Sequence, residues 1–147
     1  MREILFKAKQ IDNGEWIEGS LIDLDIDSGY CYIVQPYKKA SILPIIFLIT
    51  DRMKLVDPET LCQFTGLCDK NGKKIWENDI VLVIYENRYY EKKELSTGRI
   101  VFIRGAWYIG GKVWNELYAI DEDAIFQVEI VGNIFDNPEL LQEKSDE

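Results

Sequence analysis

Three acids crowd the centre of the chain. Asp69, Glu77 and Asp79 lie within a short stretch from Thr65 to Val81. Carboxylate oxygens so placed suit a divalent cation. The same residues also suit a plainer task. Asp69 with Asn71 and Gly72, and the triplet Glu77-Asn78-Asp79, are turn formers whose side chains bond nearby backbone amides. Lys70, Lys73 and Lys74 stand ready to pair with them. The turn reading is favoured, because nothing else in the chain completes a catalytic or metal site. There is no histidine, so neither a Ser-His nor a Cys-His nucleophile pair can form, and a zinc site lacks its usual ligands. No feature supports a glycosidase-type carboxylate pair. The expectation is a protein that is not an enzyme and that uses neither a metal nor a cofactor.

Other chemistry-bearing residues read in the same way. Cys31, Cys62 and Cys68 are odd in number and loosely spaced, unlike a secreted disulfide framework. They are expected to be small core residues. Asp23-Leu24-Asp25-Ile26-Asp27-Ser28-Gly29 begins like a calcium loop but has Ser28 where the loop needs Gly and Val34 where it needs a bidentate Glu. A strand with its acids facing water fits better. Gly105 and Gly110-Gly111 match no phosphate-cradling pattern and read as hairpin turns.

One stretch has a binding flavour. Between Arg88 and Arg104 the chain carries Arg88, Lys92, Lys93, Arg99 and Arg104 against Glu91 and Glu94, a local charge of +3, with Tyr89 and Tyr90 interleaved. Cations beside aromatic rings suit phosphate contact and base stacking. A solvated hairpin loop is the favoured alternative. Trp16, Trp107, Tyr108, Trp114 and Tyr118 could line a groove but are expected in the core or at a subunit contact.

The elements that must hold these residues are strands. The chain has 147 residues, 47% hydrophobic and 29% charged, which is room for one domain or two small ones. Glu3 to Lys9 alternates, Asp12-Asn13-Gly14 signals a turn, and Trp16 onward is extended again. Tyr30 to Gln35 and Ile42 to Ile49 read as strands. Asp57-Pro58-Glu59-Thr60 reads as a boundary where Asp57 can cap a helical turn. Further on, Leu61 to Gly66, Ile80 to Tyr85, Gly98 to Arg104, Trp107 to Ile109 and Ala124 to Ile130 read as strands, with Glu86 to Thr97 a polar loop. Asn137 to Leu141 reads as a short capped helix. Short strands at close spacing argue for a small barrel or sandwich.

The net charge is −9. From Asp121 onward nine acids and one base give −8, so residues 1–120 stand at only −1. The acidity is terminal, and the overall charge says little against nucleic acid. The longest apolar run, Ile42 to Ile49, is far short of the roughly 20 residues of a membrane helix, and Met1 to Gln10 has no apolar leader core. No membrane association is expected.

Thr65-Gly66, Asp69, Gly72, Ile75, Glu77 and Asp79-Ile80 resemble the signature of the YopX family. Arg2 to Phe6, Trp16-Ile17-Glu18-Gly19 and Ile130-Val131-Gly132-Asn133-Ile134-Phe135-Asp136-Asn137-Pro138-Glu139-Leu140 resemble the family pattern in order. Cys68 and Trp76 depart from it. The resemblance spans residues 2–141. It implies a phage or prophage origin and a β-rich fold whose C-terminal part looks like an SH3-type barrel. It implies no reaction. With neither leader core nor membrane span, the protein is expected in the cytoplasm of the bacterial host. The resulting expectation is mostly β, with a β-rich subdomain over 1–58, an SH3-like barrel over 59–136, and a short helix with an acidic tail over 137–147. The expected function is a protein-binding or assembly module with a protein partner, possible self-association included. The alternative is a nucleic-acid accessory protein using Arg88, Tyr89, Tyr90, Lys92, Lys93, Arg99 and Arg104.

Overall fold

A computed structural model describes residues 2–25, 29–35, 52–86, 92–111, 115–116 and 126–142. They are mostly antiparallel β-structure in two compact units, residues 1–64 and 65–147.

The first unit contains β1 (Phe6–Lys9), β2 (Trp16–Asp25), β3 (Tyr30–Val34), β4 (Met53–Val56) and the start of β5 (Cys62–Cys68), in the order β4-β3-β2-β1-β5. Alternation in these strands puts Ala8 opposite Ile17, Leu21 opposite Ile33 and Cys31 opposite Val56. Ala8, Ile17, Cys31, Ile33 and Val56 form the buried cluster, with Phe6, Leu21 and Leu61 packed on it. The β1–β2 turn forms at Asn13-Gly14, where the Asn13 side chain accepts the Glu15 amide. Gly19 is required by close approach: a Cβ there would sit 2.1 Å from the Val34 carbonyl oxygen. The end of β1 reaches the far strand of the row. Gln10 bridges Val56, the Ile11 amide donates to the Leu55 carbonyl and the Asp57 amide to the Lys9 carbonyl. Asp57 then caps a 3-10 turn, Pro58–Thr60, accepting the Glu59 amide as its sequence suggests.

The second unit begins inside β5. Its remaining residues form a hairpin with β6 (Lys74–Trp76). Then come β7 (Asp79–Glu86), β8 (Lys92–Ile103), β9 (Ala106–Gly110), β10 (Asn115–Glu116) and β11 (Phe126–Asn133), in the order β10-β9-β8-β7-β11. The β7 sequence Ile80-Val81-Leu82-Val83-Ile84 is apolar at every position because both faces of the strand are covered, and Ile80, Val81, Val83 and Ile84 are all buried. Ile75, Val81, Val83, Ile100, Ile109 and Val128 make the core cluster. Each such buried Ile or Val contributes about 1.5–3 kcal/mol. Arg104 and Gly105 form a two-residue β8–β9 turn with φ of 50° and 80°, the conformation that matches the twist of adjoining strands.

Several expectations need correction. The division falls after Phe64 rather than at residue 58, because Cys62 and Gln63 pair with Lys7 and Phe6 in β1. The segment expected as a polar loop is strand from Lys92, held by β7 through Glu86↔Lys92, Tyr85↔Lys93 and Ile84↔Glu94. The expected C-terminal helix is a single 3-10 turn, Pro138–Leu141. Among the described residues β10 and β11 do not pair, so the sheet is open there rather than a closed barrel. Asp23 and Asp25 lie in β2 opposite β3, as the strand reading required. Cys31 and Cys62 are buried but Cys68 is exposed, against expectation. The expected Ile42–Ile49 strand lies outside the described residues. No helix among the described residues is long and apolar enough to cross a membrane.

Candidate functional site

Asp69 sits at the β5–β6 turn, 4% exposed. One carboxylate oxygen accepts the amides of Asn71 and Lys73, both at 2.9 Å. The other accepts the amide of Ile130 in β11 at 3.1 Å. Beside it the Lys70 amide donates to the Val128 carbonyl, and Lys70 Nζ lies 3.4 Å from Glu129. The turn therefore clamps the edge of β11 that β7 does not use, which also shields that edge from pairing with another chain. Charge-assisted bonds from a carboxylate to amides are the stronger kind.

Asp79 has the same role one turn on. It is buried and accepts the Trp76 amide at 2.8 Å. Between them Thr65 donates its hydroxyl to the Ile75 carbonyl and accepts the Leu67 amide. Asn78 adopts φ of 68°, a region Asn tolerates better than other side chains. Its amide donates to the Ile100 carbonyl and its carbonyl accepts the Ile134 amide. Its side-chain oxygen takes two N–H groups of Arg99, at 3.1 and 2.9 Å.

The closing segment answers this arrangement. Asn133 accepts the amides of Phe135 and Asp136 through its side chain, and Asn137 accepts the Asn133 amide. Gly132 is required beneath it, since a Cβ there would lie 2.5 Å from the Asn137 side-chain oxygen. The central and closing motifs thus meet through Asp69–Ile130, Lys70–Glu129 and Asn78–Ile134. Among the described residues no buried side-chain nitrogen or oxygen lacks a partner, and no three acids or cysteines gather as a metal would require.

The basic stretch is dispersed by its own strand. At about 3.3 Å per residue, Lys92 and Arg104 stand on the order of 40 Å apart along β8. Arg99 is half-buried against Asn78. Arg104 is exposed in the hairpin turn. Arg88, Tyr89 and Tyr90 lie outside the described residues, as do Trp114 and Tyr118. Trp107 packs on the core cluster and stacks edge-on with Phe102, centroids 4.9 Å apart. Tyr108 is half-buried. Trp16 is flanked by the ammonium groups of Lys7 and Lys9, at 4.7 and 5.5 Å from its ring centre. Sequence reasoning passed over the exposed apolar residues of this unit, chiefly Phe102, Ile103, Leu140 and Leu141. Single apolar residues beside turns carry no sequence signal of exposure.

A meander whose signature side chains hold its turns and strand edges defines a family by its architecture. The chain belongs to the YopX family, with residues 5–142 matching the family described as YopX protein. It is similar in structure to protein EF1440 from Enterococcus faecalis, known from a crystal structure. The TM-score is 0.51 at 22% identity, over 97% of this chain and 100% of that one. At that identity the likeness speaks for the fold alone. No curated protein matches the chain.

Proposed function

We propose that the chain is a non-enzymatic protein-binding or assembly module of a phage or prophage, working in the cytoplasm of its bacterial host. One observation carries this reading. The side chains that mark the family are committed within the fold, Asp69 to three amides, Asp79 and Thr65 to backbone groups and Asn78 to the Arg99 guanidinium. Those acids are therefore engaged in holding turns, while large apolar side chains remain on the described surface. Where such side chains gather, the surface suits protein contact. The SH3-like reading of residues 59–136 belongs to the same proposal, supported by antiparallel strands joined through short turns.

The test is a pull-down from infected host cells with nuclease treatment of the bound material. A protein partner retained after nuclease supports the reading. A partner released by nuclease, together with a salt-dependent gel shift abolished by Lys92→Glu/Lys93→Glu, would replace it with nucleic-acid association.

A further inference from the structure

We infer that the second unit carries a self-complementary face, made by the end of the β8–β9 hairpin and the Pro138–Leu141 turn, and that its partner is a second copy of this chain. The inference rests on the binding-module reading above and names the surface and the partner.

The face follows from how β8 outruns its neighbour. β7 starts at Asp79, and the Asn78 amide bonds the Ile100 carbonyl. Residues 101–103 therefore overhang the end of β7 and pair only with β9, through Val101↔Tyr108, Phe102↔Trp107 and Ile103↔Ala106. The closing segment is anchored at the same place, since the Ile134 amide donates to the Asn78 carbonyl. The 3-10 turn that follows lies against β8. Ile103, Leu140 and Leu141 are exposed at this end by 40%, 39% and 38%. Apolar side chains so exposed on two elements that lie together are worth burying.

The charges around them choose the partner. Arg104, on the hairpin side, is exposed, and Glu139, on the turn side, is exposed. Among the described residues neither has an ion pair. An apolar centre with a cation at one border and an acid at the other is complementary to itself under a two-fold rotation. That rotation lays Ile103 of each copy against the Leu140-Leu141 pair of the other and brings each Arg104 to the other copy's Glu139. The face is small, so the dimer is weak and reversible.

Sedimentation velocity of the full chain over a wide concentration range tests this, with circular dichroism to show that each variant is folded. The wild type is expected to show a reversible monomer–dimer equilibrium. Leu140→Glu/Leu141→Glu, on an exposed turn, is expected to weaken it about tenfold or more. Arg104→Glu or Glu139→Arg alone weakens it about three- to fivefold at low salt, and the two together restore it. A wild type that stays monomeric throughout overturns the inference. A dimer indifferent to these substitutions overturns it as well. A different protein captured by a strictly monomeric chain overturns this inference while upholding the binding-module reading. Loss of all protein capture by a dimer that responds as predicted overturns only the wider reading.

Discussion

The two units are fastened by different sets of atoms. In residues 1–64 the row of strands is tied end to end by backbone groups: Gln10 to Val56, Ile11 to Leu55, Asp57 to Lys9. In residues 65–147 side chains add to such backbone ties: Asp69, Asp79, Thr65, Asn133 and Asn137 bond backbone groups and Asn78 holds the Arg99 guanidinium, beside backbone bonds such as Lys70 to Val128. Backbone ties accept any side chain that packs, whereas side-chain ties demand one residue type. The second unit accordingly carries the dense family signature, and the first carries only the shorter stretches Arg2 to Phe6 and Trp16-Ile17-Glu18-Gly19.

The contrast is sharpest at Asp69. Asp69→Ala strips acceptors from three part-buried amides in two segments at once, and amides that lose a carboxylate acceptor without full access to water are costly. A loss of about 3–5 kcal/mol is expected in urea unfolding, read from the second unit's tryptophans. Equal loss in both units would erase the distinction. The counterpart in the first unit is Gly19→Ala, where the added methyl meets a carbonyl of β3. Overpacking of that kind costs about 1–3 kcal/mol, and the loss should register as faster hydrogen exchange in β2 and β3.

Asn78 marks how much of this could be read from sequence. Its left-handed turn, the Asn13-Gly14 hairpin, the Asp57 cap and the Arg104-Gly105 turn were all legible, because turn chemistry is local. The length of β8 was not. Lys92, Lys93 and Glu94 look like loop residues, and only their register with β7 makes them strand, as tertiary pairing overrides propensity. The link from Asp69 to Ile130 was equally hidden, since nothing in either segment names its distant partner. The turn-holding role of the acids was legible and the reach of the clamp was not. Asn78→Ala should cost about 1–2 kcal/mol, from forcing Ala into the left-handed region and releasing Arg99. Asn78→Gly should cost less, since it removes only the second part. Equal costs for the two would show that the backbone conformation is not what Asn78 supplies.

The smallest effect lies in the first unit's core. Burial, and secondarily the Asp23 carboxylate, push the Cys31 thiol up from its ordinary range. The folded chain therefore holds that proton more tightly than the unfolded one. This contribution is complete below the unfolded thiol's value of about 8.5 and is lost as pH rises through the higher folded value. Urea midpoints from pH 8 to 10 should fall more steeply for wild type than for Cys31→Ala. Parallel curves would remove the thiol from the account. In the native chain a thiol reagent should modify Cys68 first, because Cys31 and Cys62 are buried.

The central claim is that the signature acids hold the fold rather than perform chemistry. Amide hydrogen exchange on wild type and Asp69→Ala, resolved by residue, tests it most directly. The predicted result is loss of protection at Asn71, Lys73 and Ile130 together, although Ile130 is 61 residues from the substitution, with β2 and β3 unchanged. Unchanged protection at Ile130 would contradict the claim and return Asp69 to the candidates for a site.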